Sequence, residues 1–457
     1  MKMKIKDILR VTNGELVIGK EELECNEFSK DTRTIKEGDI YIGIKGEKFD
    51  GSKFWKQALD NGAEAVIIEN IEIRKKEMEK YSNKTIIKVE NTLKALYEIA
   101  KYKRCLYNIP VIAITGSVGK TSTKDIIASV VSQKYKTLKT EGNNNNNIGL
   151  PLTILKLKDH EVLVVEMGMN HFGEISLLTN IAKPTLAVIT NIGTSHIGNL
   201  GSRENILKAK LEILEGMKIP RVIINNDNDL LHKWYEKNKE KIEIHTYGIN
   251  NSSDVIAEKI ELGEEKSKFI AKSLAEKVEI NVPVGGEHFI YNALCGFMVG
   301  KVLGLSSKEI QDGISKFELT KKRMDIRVLK NGTTLINDSY NASYESMKAS
   351  LKYLSNRTDL RKIAVLGDML ELGEFSKELH EKVGEEVANN NIDILICRGE
   401  FAKDIILKAS QNNKTQCILL QNNEEILGKL QEILREGDVV LIKASNGMKF
   451  YEICQKL

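Results

Sequence analysis

The sequence predicts an α/β protein of three domains, the central one built on a parallel sheet and the last a second doubly wound, Rossmann-like unit. Three observations lead there: a length of 457 residues, short apolar runs alternating with helix-period segments, and a glycine turn set between a strand and a helix. At roughly 100–200 residues per domain, the chain has material for about three cores. A composition 41% hydrophobic and 29% charged is that of an ordinary globular protein.

The elements follow in order. Residues 1–107 mix short strands (DIYIGI, EAVIIE, TIIKVE) with helical stretches (GSKFWKQALDNG, TLKALYEIAKYKR). Residues 108–320 open after Pro110 with the strand VIAIT and a helix from Lys120 to about Gln133. Further apolar runs come at EVLVVEMG, LAVITNIG and RVIINN. Apolar runs with helices between them are the pattern of a parallel sheet covered on both faces. Residues 321–457 repeat it with TTLIND, KIAVLGD, DILICRG, QCILL and DVVLIKAS. The asparagine run Asn143–Asn147, inside TEGNNNNNIGLP, reads either as disorder or as a turn-rich loop offering many amides.

Several classes are excluded as expectations. With 68 basic and 64 acidic residues, a net charge of +4 is too close to balance for nucleic acid or an anionic membrane, so an anion site must be local. The basic start, MKMKIKDILRVTNGEL, lacks the apolar core of a signal peptide. The apolar stretch 289–305 carries Lys301 and three glycines and is too short to span a bilayer, so no membrane insertion is expected. Six cysteines without a C-x-x-C pair suggest reduced thiols and a cytoplasmic protein.

The strongest local signal is ITGSVGKTSTKDII, residues 114–127. A strand feeds Thr115-Gly116-Ser117-Val118-Gly119-Lys120-Thr121-Ser122, and a helix starts inside it. Glycines let backbone N–H groups close on phosphate oxygens, and the helix N-terminus adds positive potential. Lys120 can reach the terminal phosphates, and the Thr121 hydroxyl can sit on Mg²⁺. The spacing is one residue shorter than G-x-x-x-x-G-K-[ST]. Two further strand ends carry unusual residues. VLVVEMG leaves Glu166 at an apolar strand's tip, where a carboxylate facing phosphates could hold Mg²⁺. NIGTSH places His196 in the next such loop, and ENILKAKLEIL puts Lys210 on a helix. Alone, His196 reads as a solvated loop histidine and Lys210 as an ordinary surface lysine.

In sequence order, T-G-x-x-G-K-T, a strand-end Glu, N-I-G-x-x-H and A-K-x-E-I resemble the Mur ligases. The resemblance runs nearly end to end, taking in DTR at 31–33, IKGEKFDG at 44–51, TEGNNNNNIGLP, INDSYNASYESM, VLGDMLELGE with His380 beyond, and GDVVLIKASNGM. It implies an ATP-dependent ligase that activates a carboxylate as an acyl phosphate and joins it to an amine. The asparagine loop is most similar to that of the family step joining D-alanyl-D-alanine to UDP-MurNAc-tripeptide. A first domain binding UDP-sugar, a central ATP domain and a third binding the dipeptide are then expected, in a monomer.

The resemblance also implies roles. Residues 115–122, with His288, Asn292, Arg323 and Asp338, would bind ATP. Thr121, Glu166, His196 and Lys210 would gather two Mg²⁺ ions, with Lys210 carrying a CO₂-derived carbamate; Lys120, Lys210 and His196 are the implied catalytic set. Thr32, Arg33, Lys45, Gly46 and Gly51 would hold the UDP-sugar, and Asn143, Asn146, Asn341 and Ser445 the remaining substrate. Phe289, Ser343, Tyr344, Ala444 and Asn446 depart from the family pattern. A paralogue using another D-amino acid, a depsipeptide or an earlier peptide step stays open, as do a folylpolyglutamate synthase relative and a non-catalytic nucleotide-binding module.

Overall fold

The computed structural model describes residues 3–24, 26–46, 49–69, 71–320, 323–357 and 359–457. Three sheets stand along the chain. The first holds β1 (Glu15–Ile18), β2 (Phe28–Ser29), β3 (Ile40–Ile42), β4 (Ala65–Ile68) and β5 (Thr85–Lys88), in the order β1-β5-β4-β3-β2. Only β1 runs antiparallel to its neighbour. Ile40, Ile42, Ile67 and Ile87 pack on one face with Ile5, Ile8, Leu96 and Ile99 from two helices. Tyr41, Val66, Ile68 and Ile86 pack on the other with Trp55 and Leu59. Burial on both faces explains why these strands read as unbroken apolar runs.

The second sheet comprises β6 (Val111–Thr115), β7 (Thr137–Lys139), β8 (Val162–Glu166), β9 (Leu186–Ile189), β10 (Arg221–Asn225), β11 (Glu243–Gly248), β12 (Val255–Leu262), β13 (Ser267–Ser273) and β14 (Lys277–Val282). Its order is β14-β13-β12-β11-β10-β9-β6-β8-β7. β7 to β12 with β6 are mutually parallel, as expected, but β12, β13 and β14 form an antiparallel meander that the sequence reading did not anticipate. The meander has one solvated face, so its apolar residues alternate with charged ones, and β14 is buried at every second residue. β6 lies between β9 and β8, and the crevice beyond its carboxyl end is where such sheets take ligands.

The helix Lys120–Val131 leaves that crevice and packs on the helix Glu287–Val302, which is the apolar stretch 289–305. It is a core helix, and among the described residues no helix is long and apolar enough to cross a membrane. Close approach depends on glycine: a Cβ at Gly296 would lie 2.6 Å from Ile126 and one at Gly313 2.4 Å from the Val130 Cα. On the opposite face, the Asp125 carboxylate is buried between Lys124 (3.1 Å) and Lys139 (2.9 Å) and accepts the Thr320 hydroxyl at 2.7 Å.

The third sheet has β15 (Asp325–Val328), β16 (Thr334–Asn337), β17 (Lys362–Gly367), β18 (Ile394–Arg398), β19 (Gln416–Leu419) and β20 (Val439–Lys443), ordered β15-β16-β20-β17-β18-β19. Five strands match the runs read from sequence. β15, short and mostly exposed, is an antiparallel edge that carries no apolar run. Cys105, Cys295, Cys397, Cys417 and Cys454 are free thiols, and Cys25 lies outside the described residues.

Candidate active site

A cavity of about 640 Å³ opens beyond the carboxyl end of β6, walled by the second and third domains. Its floor is the loop Gly116–Lys120. Gly116 is needed for close approach, since a Cβ there would fall 1.9 Å from the Thr190 Oγ1; Gly119 (φ 80°) turns the chain into the helix. The loop is braced by the end of β9. The Val118 N–H donates to Asn191 Oδ1 at 3.0 Å, while Thr190 Oγ1 and Asn191 Nδ2 donate to the Val118 carbonyl. Ser117, Val118, Gly119, Lys120 and Ser122 line the cavity; Thr115 and Thr121 lie buried beneath it.

The Lys120 ammonium folds back on its own loop, donating to the carbonyls of Gly116 (2.7 Å) and Ser117 (3.2 Å). Burial holds its pKa below the usual lysine range, opposed by Glu166 and reinforced by Arg323. Arg323, from the third domain, therefore sits within electrostatic reach of the phosphate loop. Its guanidinium lies 4.1 Å from the centre of the Tyr340 ring, and its Nε is buried without a hydrogen-bond partner.

Thr121 Oγ1 donates to Glu166 Oε2 at 2.9 Å, and Asn145 Nδ2 donates to Oε1 at 2.7 Å. Among the described residues no three His, Cys, Asp or Glu side chains converge. The donor set, a hydroxyl and a carboxylate beside a phosphate loop, fits Mg²⁺, which takes few protein oxygens and fills its shell with phosphates and water. His196 lines the cavity, with Nδ1 2.6 Å from Glu371 Oε2 of the third domain. Lys210 is buried on the helix Arg203–Leu211, its pKa well below the usual value because of burial and then the nearby Lys120. It is no surface lysine.

The remaining assignments divide. His288, Asn292, Asp338 and Asn341 line the cavity. Burial brings the His288 pKa down to about 4. Asn292 Oδ1 accepts from Thr123 at 3.0 Å, and Asp338 Oδ2 is held by Lys443 (2.5 Å) and Ser350 (2.7 Å). Within the asparagine run, Asn146 lines the cavity too, its Oδ1 accepting the Ile148 and Gly149 N–H groups just before the helix Gly149–Leu155. Asn143 is exposed and does not line the cavity; Asn145 is the residue that meets Glu166. Ser445 is buried, its hydroxyl accepting the Leu370 N–H at 2.9 Å, and Asn446 bonds the Tyr340 carbonyl.

The sugar-site candidates lie apart from this cavity, on the first domain. Arg33 forks onto Asp31 (2.9 and 2.6 Å), and the Thr32 carbonyl accepts from Asn61. Lys45 and Gly46 are exposed; Gly51 is buried, where a Cβ would stand 2.6 Å from the Ile44 carbonyl. Glu47 and Lys48 of IKGEKFDG fall outside the described residues. Sequence reasoning missed Asn145, Thr190, Asn191, Glu345 and Glu371. Thr190 and Asn191 could have been found from their place at a strand end beside N-I-G-x-x-H.

Comparison with known proteins agrees with this geometry. Residues 28–104 match the Mur ligase family catalytic domain, 114–300 the Mur ligase middle domain, and 322–446 the Mur ligase glutamate ligase domain. The UDP-N-acetylmuramoyl-tripeptide–D-alanyl-D-alanine ligase of Bacillus subtilis is 36% identical, covering 100% of this chain and 98% of its own. MurF from Acinetobacter baumannii superposes with a TM-score of 0.89 at 29% identity, covering 100% and 99% of the two chains. MurF from Thermotoga maritima, solved with ADP, gives 0.81 at 29% identity over 94% and 96%. Three successive family models along the chain and a relative 36% identical over its whole length show that the chain belongs to the Mur ligase family.

Proposed function

We propose that the protein uses ATP to join D-alanyl-D-alanine to the carboxyl terminus of UDP-N-acetylmuramoyl-tripeptide. The observation that carries this reading is end-to-end similarity, at 36% identity, to a ligase of that name, combined with a cavity that brings a phosphate loop and a third domain together. A carboxylate and an ammonium do not condense in water. Moving the γ-phosphoryl group of ATP onto the substrate carboxylate gives an acyl phosphate. The dipeptide amine attacks its carbonyl carbon, loses a proton and expels phosphate.

Positioning and charge neutralisation do most of the work in such chemistry. The backbone N–H groups of 119–121 at the helix start cradle the phosphates, those of Ser117 and Val118 being held by Asn191, and Lys120 swings from its two carbonyls onto them. Arg323 faces the same charge from the third domain, and the docked domain excludes water from the acyl phosphate. Thr121, Glu166 and His196 are the residues that would hold Mg²⁺, which supplies charge neutralisation along the phosphates. Burial lowers the Lys210 pKa and so favours the free amine; adding CO₂ to that amine with loss of a proton would give a carbamate, an anion suited to balance a second Mg²⁺. His288 and Asn292 are assigned to the nucleotide, and the first domain to the UDP-sugar. ATP with a nucleotide-activated sugar as substrates supports a cytoplasmic reaction.

The test is ADP release by the purified protein with ATP and Mg²⁺, across UDP-muramoyl di- and tripeptides and D-Ala, D-Ala-D-Ala or D-Ala-D-lactate. Release and a matching product mass are expected with tripeptide plus D-Ala-D-Ala. A different working pair, or glutamate with a folate, overturns the assignment.

A further inference from the structure

Two carboxylates of the third domain grip one short segment of the second. Glu345 lies in the first turn of the helix Tyr344–Ser355, where the helix N-terminus favours an anion. Its Oε1 accepts the Thr194 N–H at 2.8 Å, and its Oε2 accepts the Thr194 hydroxyl at 3.1 Å. Glu371, in the loop after β17, meets His196 Nδ1 through its carboxylate, and its backbone carbonyl accepts the Gly198 N–H at 3.2 Å. That loop is itself fixed by His380, whose Nε2 accepts the Met369 N–H at 2.9 Å while Nδ1 donates to the Ser376 carbonyl at 2.6 Å.

Two glycines make room for the grip. A Cβ on Gly193 would lie 2.5 Å from the Glu345 Cδ. One on Gly198 would lie 2.5 Å from the Gly373 nitrogen and 2.7 Å from the Glu371 carbonyl oxygen, both backbone atoms of the third domain. Gly198 sits in the short helix Ile197–Leu200 without a positive φ, where alanine is the better helix former. The three atoms nearest to such a Cβ all belong to the third domain, so docking calls for glycine there.

The other edge of this segment holds the phosphate loop. The Gly193 N–H donates to Ser117 Oγ at 2.8 Å, and Ser195 Oγ donates to the Ser117 carbonyl at 3.3 Å. Asn191, just before it, accepts the Ser117 N–H on its carbonyl at 3.0 Å and the Val118 N–H on its side chain at 3.0 Å.

We infer that residues 191–198 form a strap through which docking of the third domain sets the geometry of the phosphate loop, with Glu345 and Glu371 as positioning residues and Gly198 as the notch admitting the docking loop. This deepens the ligase reading and rests on it for its kinetic consequence. When the domains part, the Thr194 N–H and both carboxylates meet water, so neither state leaves a polar group unsatisfied and the grip is reversible. When they meet, the strap is pinned from both sides. The phosphate loop is then in its working shape only while the domain that receives the amine is seated.

The test compares wild type with Gly198→Ala, Glu345→Ala and Glu345→Gln. The first readout is amide hydrogen exchange at Ser117 and Val118, which needs no activity. The second is the split between KM for the amine and affinity for ADP. Gly198→Ala and Glu345→Ala should each speed exchange at those two amides by about tenfold and raise the amine KM by a similar factor, with ADP affinity changed by less than about threefold. Glu345→Gln keeps one acceptor for the Thr194 N–H and offers a donor to its hydroxyl, so it should stay within about twofold of wild type. Unchanged exchange in both alanine variants overturns the strap whatever the activity. So does a glutamine variant as impaired as the alanine one. A wild-type chain without ligase activity would sink the proposed function and leave the exchange test standing.

Discussion

Replacing Lys120 with methionine separates charge from packing at the phosphate loop. The methionine keeps most of the aliphatic stem and removes only the ammonium. In the structure that ammonium is satisfied by two carbonyls of its own loop and has the Glu166 carboxylate and, with a smaller effect, the like charge Arg323 as neighbours. Its loss thus relieves a partly desolvated cation while freeing two acceptors on a loop that water reaches from the cavity. Stability should stay level or rise, with Tm shifting by no more than about 2 °C. Activity should respond very differently. Removing one preorganised donor from developing charge lowers the rate about 10²–10³-fold. Lys120 is a full charge, so the upper end applies, about 10³-fold in kcat/KM or about 4 kcal/mol. The backbone N–H groups, the helix N-terminus and Arg323 remain and set the floor. Coupled ADP-release kinetics and calorimetry on the same preparation measure both effects. A fall in kcat/KM below about tenfold, or a Tm lowered by more than about 4 °C, would refute the reasoning.

Three shorter expectations follow from the same geometry. Lys210→Ala should lose most activity while still binding ATP, and acetate or formate should restore part of it by standing in for a carbamate; wild-type-like turnover in the variant would return Lys210 to a packing role. Asp125→Ala leaves Lys124 buried without its carboxylate and should lower the urea-unfolding free energy by about 3–5 kcal/mol, whereas a loss under about 1 kcal/mol would show the cluster to be incidental. Burial holds His288 near a pKa of about 4, against about 6.5 for an ordinary histidine. Between those values the unfolded chain binds the extra proton, so folded stability falls as pH drops from about 6.5 through about 4. His288→Asn removes that component, of the order of 1–2 kcal/mol in a half-buried site, and identical acid-unfolding slopes for the two proteins would contradict it.

What the sequence made legible follows from how each part is buried. Strands such as β6, β8 and β9 are covered on both faces, so they stand out as continuous apolar runs between helices. The phosphate loop is local, and a contiguous motif reports it in full. The meander β12 to β14 escaped because its strands mix lysine and glutamate with apolar residues, although KVEINV alternates strictly and could have been read. Within Asn143–Asn147 five identical side chains offer no clue to which one meets Glu166; only the fold selects Asn145. The partner of His196 is Glu371, 175 residues further along the chain, and no spacing rule links two loops that meet only through domain packing.

The tie between Thr320 and Asp125 limits where Arg323 can lie. Thr320 is moored to the helix that begins at the phosphate loop, and Arg323 follows three residues later. Three extended residues reach at most about 11 Å, so while that bond holds, the Arg323 backbone stays within this distance of the second domain's edge. Glu345 and Glu371, far along the chain from that mooring, are held to residues 194–198 by their own hydrogen bonds instead.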